Sequence, residues 1–356
     1  MENIKKSVYK IITASGTGSG FTISGKNYII TNYHVVAGEK TVAVEDYKKD
    51  RSVANVVMVN PEVDLAFLHV DGFENTETGI TLENDVMITN TNKTYIHGFP
   101  FGMPYTITEG IISSTNQPMG SRHYIQTDAA VNPGNSGGPM LNEAGNLIAV
   151  TTSKFTNADN VGFGIKHSDL AKELEDFTYV DNAYRVKCNS CDNYMEEQGE
   201  FCNNCGNNMD ISIWEEFEKS HFANFVEEAL TELGMNPVIG RAGKDFWEFH
   251  QGSALIRIFV FKRDYLVATS PLNKLPKSNL SELLEYLLGN NVSPYTLGIH
   301  ENKIFLSYRT HLSDIFTDHS STIKENIKNL ALKADDLDNF FIDTYGCELS
   351  MEAKDV

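Results

Sequence analysis

The segment from Gln126 to Pro139 constrains this chain more than any other, because three glycines and two prolines surround one serine, Ser136. Glycine permits sharp turns and close backbone approach, and proline fixes the backbone dihedral φ where a turn begins. A tight turn of this kind holds the Ser136 hydroxyl outward and can point the N–H groups of Gly134 and Ser136 at one spot, which is the geometry of an oxyanion hole. Glycine-rich turns with a serine also occur in ordinary loops, so this segment alone leaves both interpretations open.

Two upstream segments supply the groups that a serine nucleophile needs. His34 follows the apolar run 28–30, and Asp64 directly precedes the apolar run 65–68. A hydroxyl is a poor nucleophile until a base takes its proton, and that base needs a carboxylate to fix its tautomer. His34, Asp64 and Ser136 provide such a set in the order His, Asp, Ser. Taken singly, each of them also fits an ordinary turn or a buried position.

Together, these blocks resemble the HtrA/DegP branch of the trypsin-like serine proteases, which have the chymotrypsin fold. The segments between and after the blocks resemble the same branch, namely 18–21, 98–102, 108–113, 145–150 and 162–165. The resemblance covers roughly residues 7–170. It implies that Ser136 is the nucleophile, that His34 is the general base and then the general acid, and that Asp64 orients His34.

Short strand-like runs with turn residues between them are typical of all-β barrels and sandwiches. The resemblance narrows this to a double six-stranded barrel, with His34 and Asp64 on the first barrel, Ser136 on the second and the site in the cleft between them. The predicted strands are 8–13, 20–24, 28–31, 41–44, 53–60, 65–70, 95–97, 105–113, 124–127 and 147–152.

The resemblance also implies where the primary specificity pocket lies. Its base is placed near Ala130, and its walls are assigned to Thr151, Thr152, Ser153, Gly162 and Phe163. Ala130 carries no charge, so a basic substrate side chain would be buried without a partner. We therefore expect cleavage after small or medium aliphatic residues.

Four of the five cysteines form two Cys-x-x-Cys pairs, Cys188 with Cys191 and Cys202 with Cys205, separated by ten residues. Four thiolates at this spacing can bind one tetrahedral Zn²⁺, and the end of the segment at 201–206 resembles the bacterial zinc-ribbon family. Four protein ligands leave no open position, so the ion is expected to be structural and catalysis is expected to need no cofactor. Two disulfides or a redox pair are the alternative.

Residues 211–356 alternate between helical and strand-like patterns. Apolar residues at helical spacing predict helices over 214–233, 281–288 and 320–343. Strands are predicted over 246–250, 254–262, 265–270, 295–300 and 303–309. This order of elements is similar to the type III secretion chaperone-like fold shared with the YbjN family, whose members generally bind partner polypeptides. The resemblance implies an α+β domain that recruits a substrate or a regulatory protein.

The charge balance and the apolar pattern limit the partners and the compartment. The net charge of −19, from 48 acidic and 29 basic residues among 356, argues against nucleic acid or an anionic membrane as the main partner. No run of about 18 apolar residues predicts a transmembrane helix, and the first residues do not resemble a secretory signal. We therefore expect a cytoplasmic location, although HtrA-type proteins mostly work outside the cytoplasm.

These observations predict a multidomain chain with a trypsin-like serine protease over 1–180, a zinc ribbon over 181–210 and an α+β partner-binding domain over 211–356. The predicted activity is that of a serine endopeptidase that acts on protein or peptide substrates through an acyl-enzyme. The alternative is a catalytically silent or latent protease fold that binds a partner protein. In a latent state, the turn-rich segments 99–122 and 153–161 are expected to become ordered on activation.

Overall fold

The computed structural model describes residues 2–73, 79–83, 86–154, 160–181, 183–289 and 292–350. The chain divides into two compact units, Met1–Phe217 and Glu218–Val356. Within the described ranges, no helix has the length and apolarity needed to cross a membrane.

The first unit begins with a short helix, α1 (Glu2–Lys5), and a closed six-stranded barrel. Its strands are β1 (Val8–Ile12), β2 (Thr17–Phe21), β3 (Ile29–Thr31), β4 (Thr41–Glu45), β5 (Arg51–Asn60) and β6 (Leu65–His69). They follow the order β5-β4-β1-β2-β3-β6, and pairing between β5 and β6 closes the barrel. A single helical turn, α2 (Tyr33–Val36), lies between β3 and β4.

A second closed barrel follows in the same unit. Its strands are β7 (Lys93–Gly98), β8 (Thr106–Met119), β9 (Arg122–Thr127), β10 (Pro139–Leu141), β11 (Leu147–Lys154) and β12 (Gly162–Lys166), in the order β10-β11-β12-β9-β8-β7. The prediction of two six-stranded barrels is therefore confirmed. β10 and β12 were not among the predicted strands.

Apolar side chains from both barrels fill the interior of this unit. One cluster joins Phe21 and Phe67 of the first barrel to Leu147 and Ile165 of the second, and all four are essentially inaccessible to solvent. Burial of side chains of this size contributes about 1.5–3 kcal/mol each. The shared cluster fixes the two barrels against each other.

The first unit ends with α3 (His167–Asp176), β13 (Arg185–Lys187) and β14 (Tyr194–Met195). β13 pairs in parallel with β5 of the first barrel and antiparallel with β14. Cys188 and Cys191 lie between these two strands, and Cys202 and Cys205 follow β14, so the segment that contains the cysteines extends the sheet of the first barrel.

The second unit contains an antiparallel sheet with helices. Its helices are α4 (His221–Glu232), α5 (Pro237–Gly240), α6 (Leu280–Leu288) and α7 (Ser320–Tyr345). Its strands are β15 (Arg241–Gly243), β16 (Phe246–Gln251), β17 (Ala254–Phe261), β18 (Tyr265–Lys274), β19 (Thr296–His300), β20 (Lys303–His311) and β21 (Glu348–Leu349). The sheet order is β15-β16-β17-β18-β20-β19, with β21 also paired to β18.

The predicted elements of the second unit occur close to their expected places, with one clear difference. The helix predicted from Trp214 begins instead at His221, because the Ser220 side chain accepts a hydrogen bond from the Ala223 N–H and caps the helix there. Residues 211–214 form a separate 3-10 turn. The likeness to type III secretion chaperones stays a prediction.

Candidate active site

His34 and Asp64 are joined by two hydrogen bonds. His34 lies in α2, and Asp64 occupies the turn between β5 and β6 with a left-handed φ of 63°. His34 Nδ1 is 2.8 Å from Asp64 Oδ2, and the His34 backbone N–H donates to Asp64 Oδ1 at 2.9 Å. The Asn32 side chain holds the turn by donating to the Asp64 carbonyl at 2.9 Å. The carboxylate therefore fixes both the position and the tautomer of the imidazole.

A residue of the second barrel completes the hydrogen bonds of this carboxylate. Thr152, in β11, donates its hydroxyl to Asp64 Oδ2 at 2.7 Å. Thr152 is 6% exposed, so little solvent competes for this bond. It connects the two barrels at the candidate site.

Ser136 lies in the glycine-rich turn that the sequence singled out. Its backbone carbonyl accepts from the Ser19 N–H at 2.8 Å, so the turn is attached to the first barrel. Gly137 has φ of 82°, and a Cβ there would lie 2.2 Å from the Ser19 carbonyl oxygen. Only glycine fits at this point, because a larger residue would suffer both the strained conformation and the clash.

The Ser136 hydroxyl donates to the Thr152 carbonyl at 2.8 Å. Among the residues that the structure describes, no hydrogen bond joins Ser136 Oγ to the His34 ring. Rotation of the Ser136 side chain to another staggered position would redirect the hydroxyl. Thr152 thus contacts both the candidate nucleophile and the carboxylate that orients the candidate base.

The turn leaves two backbone donors free near Ser136. The N–H groups of Asn135, Gly137 and Gly138 are used in hydrogen bonds within or near the turn. Those of Gly134 and Ser136, within the described part of the chain, donate to no protein acceptor. A pair of free donors beside a serine hydroxyl can bind an oxyanion.

A backbone hydrogen bond sets the direction of one of these donors. The Phe101 N–H donates to the Pro133 carbonyl at 2.6 Å. In a trans peptide the carbonyl and the following N–H point in opposite directions, so the Gly134 N–H is turned away from Phe101. Gly134 has φ of 98°, and a Cβ there would lie 2.4 Å from the Phe99 carbonyl oxygen.

The predicted pocket residues lie on the second barrel and on the loop before Ser136. Ala130 is exposed, and its carbonyl accepts from the Thr108 hydroxyl at 3.0 Å. Thr151 is buried in β11, and Gly162 and Phe163 are buried in β12. The side chain of Ser153 lies outside the described residues, as do residues 155–159 of the predicted activation segment. None of the described pocket residues carries a charge.

His97 is a second histidine in a barrel strand, and its surroundings differ from those of His34. It is 1% exposed, and its Nδ1 lies 2.6 Å from the Tyr105 hydroxyl. Burial lowers the pKa of His97 to about 4, so it stays neutral at physiological pH. It contacts none of the candidate triad residues in the described part of the chain and is a buried structural histidine.

Sequence reasoning missed the contribution of two side chains to this site. Thr152 was assigned only to the pocket wall, and Asn32 was not singled out. Both act through contacts between segments that are far apart in the sequence, and no local spacing signals such contacts. Folding of the two barrels brings the Asn32 and Thr152 side chains within hydrogen-bonding distance of Asp64.

The four cysteines are brought together as predicted. Their Sγ atoms all lie within 4.8 Å of one another, with 3.8 Å between Cys188 and Cys205 and 3.7 Å between Cys191 and Cys202. Zn–S bonds of about 2.3 Å in a tetrahedron require sulfur atoms about 3.8 Å apart. The donor set therefore fits a tetrahedral zinc ion, whereas a disulfide needs sulfurs at about 2 Å.

Comparison with known proteins agrees with the geometry of the first unit. Residues 18–150 match the family described as trypsin-like peptidase domain. The curated relatives include Protease Do-like 1, chloroplastic, of Arabidopsis thaliana, which is 35% identical over 42% of this chain and 36% of its own length. They also include Serine protease Do-like HtrA of Bacillus subtilis, 36% identical over 48% of this chain and 42% of its own length. The first unit thus contains an HtrA/DegP-like trypsin-like serine protease domain.

The chain spans about a third of the length of most of the curated relatives it matches. A probable periplasmic serine endoprotease, DegP-like, of Pseudomonas putida is 36% identical over 41% of this chain and 31% of its own length. Among solved structures, a serine endoprotease from Yersinia pestis has 29% identity over 49% of this chain and 63% of that chain, with a TM-score of 0.44.

These relatives contradict the cytoplasmic location expected from the sequence. Bacterial proteins from Pseudomonas, Marinomonas and Hahella that match this chain are named periplasmic endoproteases. The prediction was wrong because it relied on the character of the first few residues and on the lack of a long apolar run. Neither feature reports the compartment in which a protease domain of this kind works.

Proposed function

We propose that this chain is a serine endopeptidase in which His34, Asp64 and Ser136 form the catalytic triad. The observation that carries the proposal is the shared set of hydrogen bonds at Asp64, which accepts from the backbone and the ring of His34 and from Thr152. Thr152 in turn accepts from the Ser136 hydroxyl. Three groups from two barrels thereby meet within one short network.

In the proposed mechanism, His34 takes the proton of the Ser136 hydroxyl as the oxygen attacks the substrate carbonyl. Asp64 stabilises the imidazolium that forms and keeps Nε2 directed at the serine. The N–H groups of Gly134 and Ser136 stabilise the negative oxygen of the tetrahedral intermediate. His34 then gives its proton to the leaving amine, and water releases the acyl group by the reverse steps.

The substrates of this activity are proteins or peptides, and we propose small or medium aliphatic residues before the cleaved bond. A pocket built on Ala130, Thr151, Thr152, Ser153, Gly162 and Phe163 would offer no carboxylate to a basic side chain. Burial of an unpaired ammonium or guanidinium group costs several kcal/mol, whereas an aliphatic side chain gains by transfer from water.

The cleavage profile of a peptide library tests this specificity. We expect sites with Val, Ala or Ile before the cleaved bond to be preferred over Lys or Arg by about 100-fold or more, which corresponds to about 3 kcal/mol. The Ser136→Ala variant, assayed beside the wild type, identifies any contaminating protease. A profile dominated by Lys or Arg would refute the pocket assignment.

We also propose that Cys188, Cys191, Cys202 and Cys205 bind one structural zinc ion. The sulfur separations and the two matching turns support this site. In each turn the backbone N–H four residues after the first cysteine donates to that cysteine's carbonyl, from Asp192 to Cys188 and from Gly206 to Cys202. Both turn residues have a left-handed φ, 58° and 73°.

For the second unit, we propose a role in recruiting a substrate or a regulatory protein. The support is the likeness of its order of elements to the type III secretion chaperone-like fold, whose members generally bind partner polypeptides. By analogy with the relatives named above, we propose that the protein works in the periplasm rather than in the cytoplasm.

A latent or catalytically silent protease fold that binds a partner is the second candidate. The observation that favours it is the Ser136 hydroxyl, which donates to the Thr152 carbonyl rather than to His34. Labelling of Ser136 with a fluorophosphonate distinguishes these cases. An active site reacts without a partner, a latent site reacts only when the right partner is present, and a silent site does not react in either case.

A further inference from the structure

The cysteine segment is built into the first barrel. β13 pairs with β5 through Arg185 opposite Met58 and Val186 opposite Val59. Val186 is fully buried and shares an apolar cluster with barrel residues. Movement of the cysteine segment would therefore expose apolar side chains of the first barrel.

The same apolar cluster reaches the turn that carries His34. Val36, two residues after His34 in α2, is 1% exposed within this cluster, and Tyr33 and Val35 pack at its edge. The cysteine segment supplies further side chains of the same cluster, namely Val186, Cys188, Met195, Cys202, Met209 and Ile213. Two of the four candidate zinc ligands thus belong to the apolar cluster that contains Val36, and a third, Cys191, packs against it.

The chain on either side of the cysteines also contacts the loop that follows α2. The Phe217 N–H donates to the Gly38 carbonyl at 2.7 Å. The Lys40 ammonium lies 3.2 Å from the centroid of the Tyr184 ring, a cation–π contact. The Tyr184 hydroxyl donates to the Ile213 carbonyl at 2.9 Å, which joins the two ends of the segment. Both ends of the segment 184–217 therefore contact the loop 37–40.

We infer that zinc binding at the four cysteines holds residues 184–217 against α2 and thereby positions His34 for catalysis. The inference rests on the proposed zinc site and the proposed endopeptidase activity. Short cysteine-rich segments obtain most of their folding free energy from the metal. Without the ion, the side chains of the cysteine segment pack less tightly in the cluster that contains Val36. The hydrogen bonds from His34 to Asp64 then lose their fixed geometry.

Hydrogen exchange of the full-length protein, with zinc loaded and then removed, tests this coupling without relying on activity. We expect one zinc per chain, and after its removal exchange at residues 33–40 that is faster by about tenfold or more. Amides of β9, in the second barrel, and of β18, in the second unit, are expected to keep their protection. Re-addition of zinc should restore the original rates.

Kinetics on the same samples distinguish positioning from general stability. Removal of zinc is expected to lower kcat by about 10- to 100-fold while KM changes little, because His34 acts in the chemical step. If the zinc-loaded protein shows no hydrolysis at all, the proposed endopeptidase function fails. The exchange data still decide the coupling in that case.

Three variants distinguish the loss of zinc from general unfolding. Cys205→Ser alters the one exposed cysteine of the cluster and should reproduce the effect of zinc removal, whereas Cys347→Ala, in the second unit, should leave zinc content and exchange at 33–40 unchanged. Tyr184→Phe removes the bond to Ile213 and should speed exchange at 33–40 while one zinc stays bound.

Three results would overturn the inference. One is the absence of zinc from the purified chain after growth with zinc. Another is unchanged exchange at 33–40 after complete removal of the ion. The last is an equal loss of protection in β9, because the metal would then support the whole unit rather than the turn that carries His34.

Discussion

Asp64→Asn is expected to lower kcat by about 10⁴-fold with little change in KM. The asparagine side chain keeps the shape of the aspartate, but it can present an N–H group to His34 Nδ1 and so favour the wrong tautomer. It also removes the negative charge that stabilises the imidazolium in the transition state. Steady-state kinetics on the best library peptide, with circular dichroism to confirm folding, measure this effect.

Thr152→Val is the matched comparison, since it removes one hydrogen bond to Asp64 and leaves the charge in place. A lost hydrogen bond to a charged group is worth about 1.5 kcal/mol, so we expect a loss of about tenfold. Asp64→Asn activity above about a tenth of the wild-type value would contradict the assignment of Asp64. A Thr152→Val loss as large as that of Asp64→Asn would mean that Thr152 has a larger role than orienting the carboxylate.

Lys187→Ala is expected to lower the free energy of unfolding of the first unit by about 3–5 kcal/mol. The Lys187 side chain is fully buried, and its ammonium lies 3.1 Å from Glu173 Oε2 and 2.9 Å from Asp176 Oδ2. Within the described residues, removing it leaves the carboxylate of Glu173, which is 3% exposed, with the Asn60 amide as its one side-chain donor. Urea denaturation at equal zinc content measures the change.

The pH dependence of this loss has a definite sign. Burial raises the pKa of Glu173, and the Lys187 ammonium and the Asn60 amide oppose that rise. Without Lys187 the pKa rises further, so the variant's deficit should be small at acidic pH, where the carboxyl is protonated, and should grow as the pH rises through the folded-state pKa. An equal deficit at all pH values would contradict the ionic explanation.

Lys172→Ala is the control for this series. Its ion pair with Asp192 joins two side chains that are 61% and 52% exposed, so its loss should change the free energy of unfolding by less than about 0.5 kcal/mol. A loss for Lys172→Ala equal to that for Lys187→Ala would show that burial does not decide the effect.

Local signals in the sequence predicted an all-β domain and the residues of the candidate triad, and the resemblance to HtrA/DegP proteases narrowed the fold to a double barrel. Turn residues between apolar runs mark the strands, and the blocks around His34, Asp64 and Ser136 occur in the order that the resemblance implies. The two missed strands lack such signals. β10 has only three residues. β12 contains Gly162 and Gly164, and glycine has a low intrinsic propensity for β-strands.

The glycines of β12 are explained only by packing. A Cβ at Gly162 would lie 2.3 Å from Val131 Cγ2, and one at Gly164 would lie 2.6 Å from the Ala149 Cβ. Neighbouring chain segments approach too closely for side chains at these positions, and no sequence pattern predicts that approach. The same limitation applies to the contact between the cysteine segment and the loop after α2, where the Phe217 N–H donates to the Gly38 carbonyl although the two residues are far apart in the sequence.

Intact-mass analysis after treatment with a fluorophosphonate tests the proposed triad most directly. The reagent reacts with a serine that is activated by a base and faces an oxyanion hole. For the zinc-loaded wild type the account predicts a single adduct, which Ser136→Ala should lack. An adduct of equal yield on Ser136→Ala, or no adduct on the folded wild type with or without candidate partners, would contradict Ser136 as an activated nucleophile.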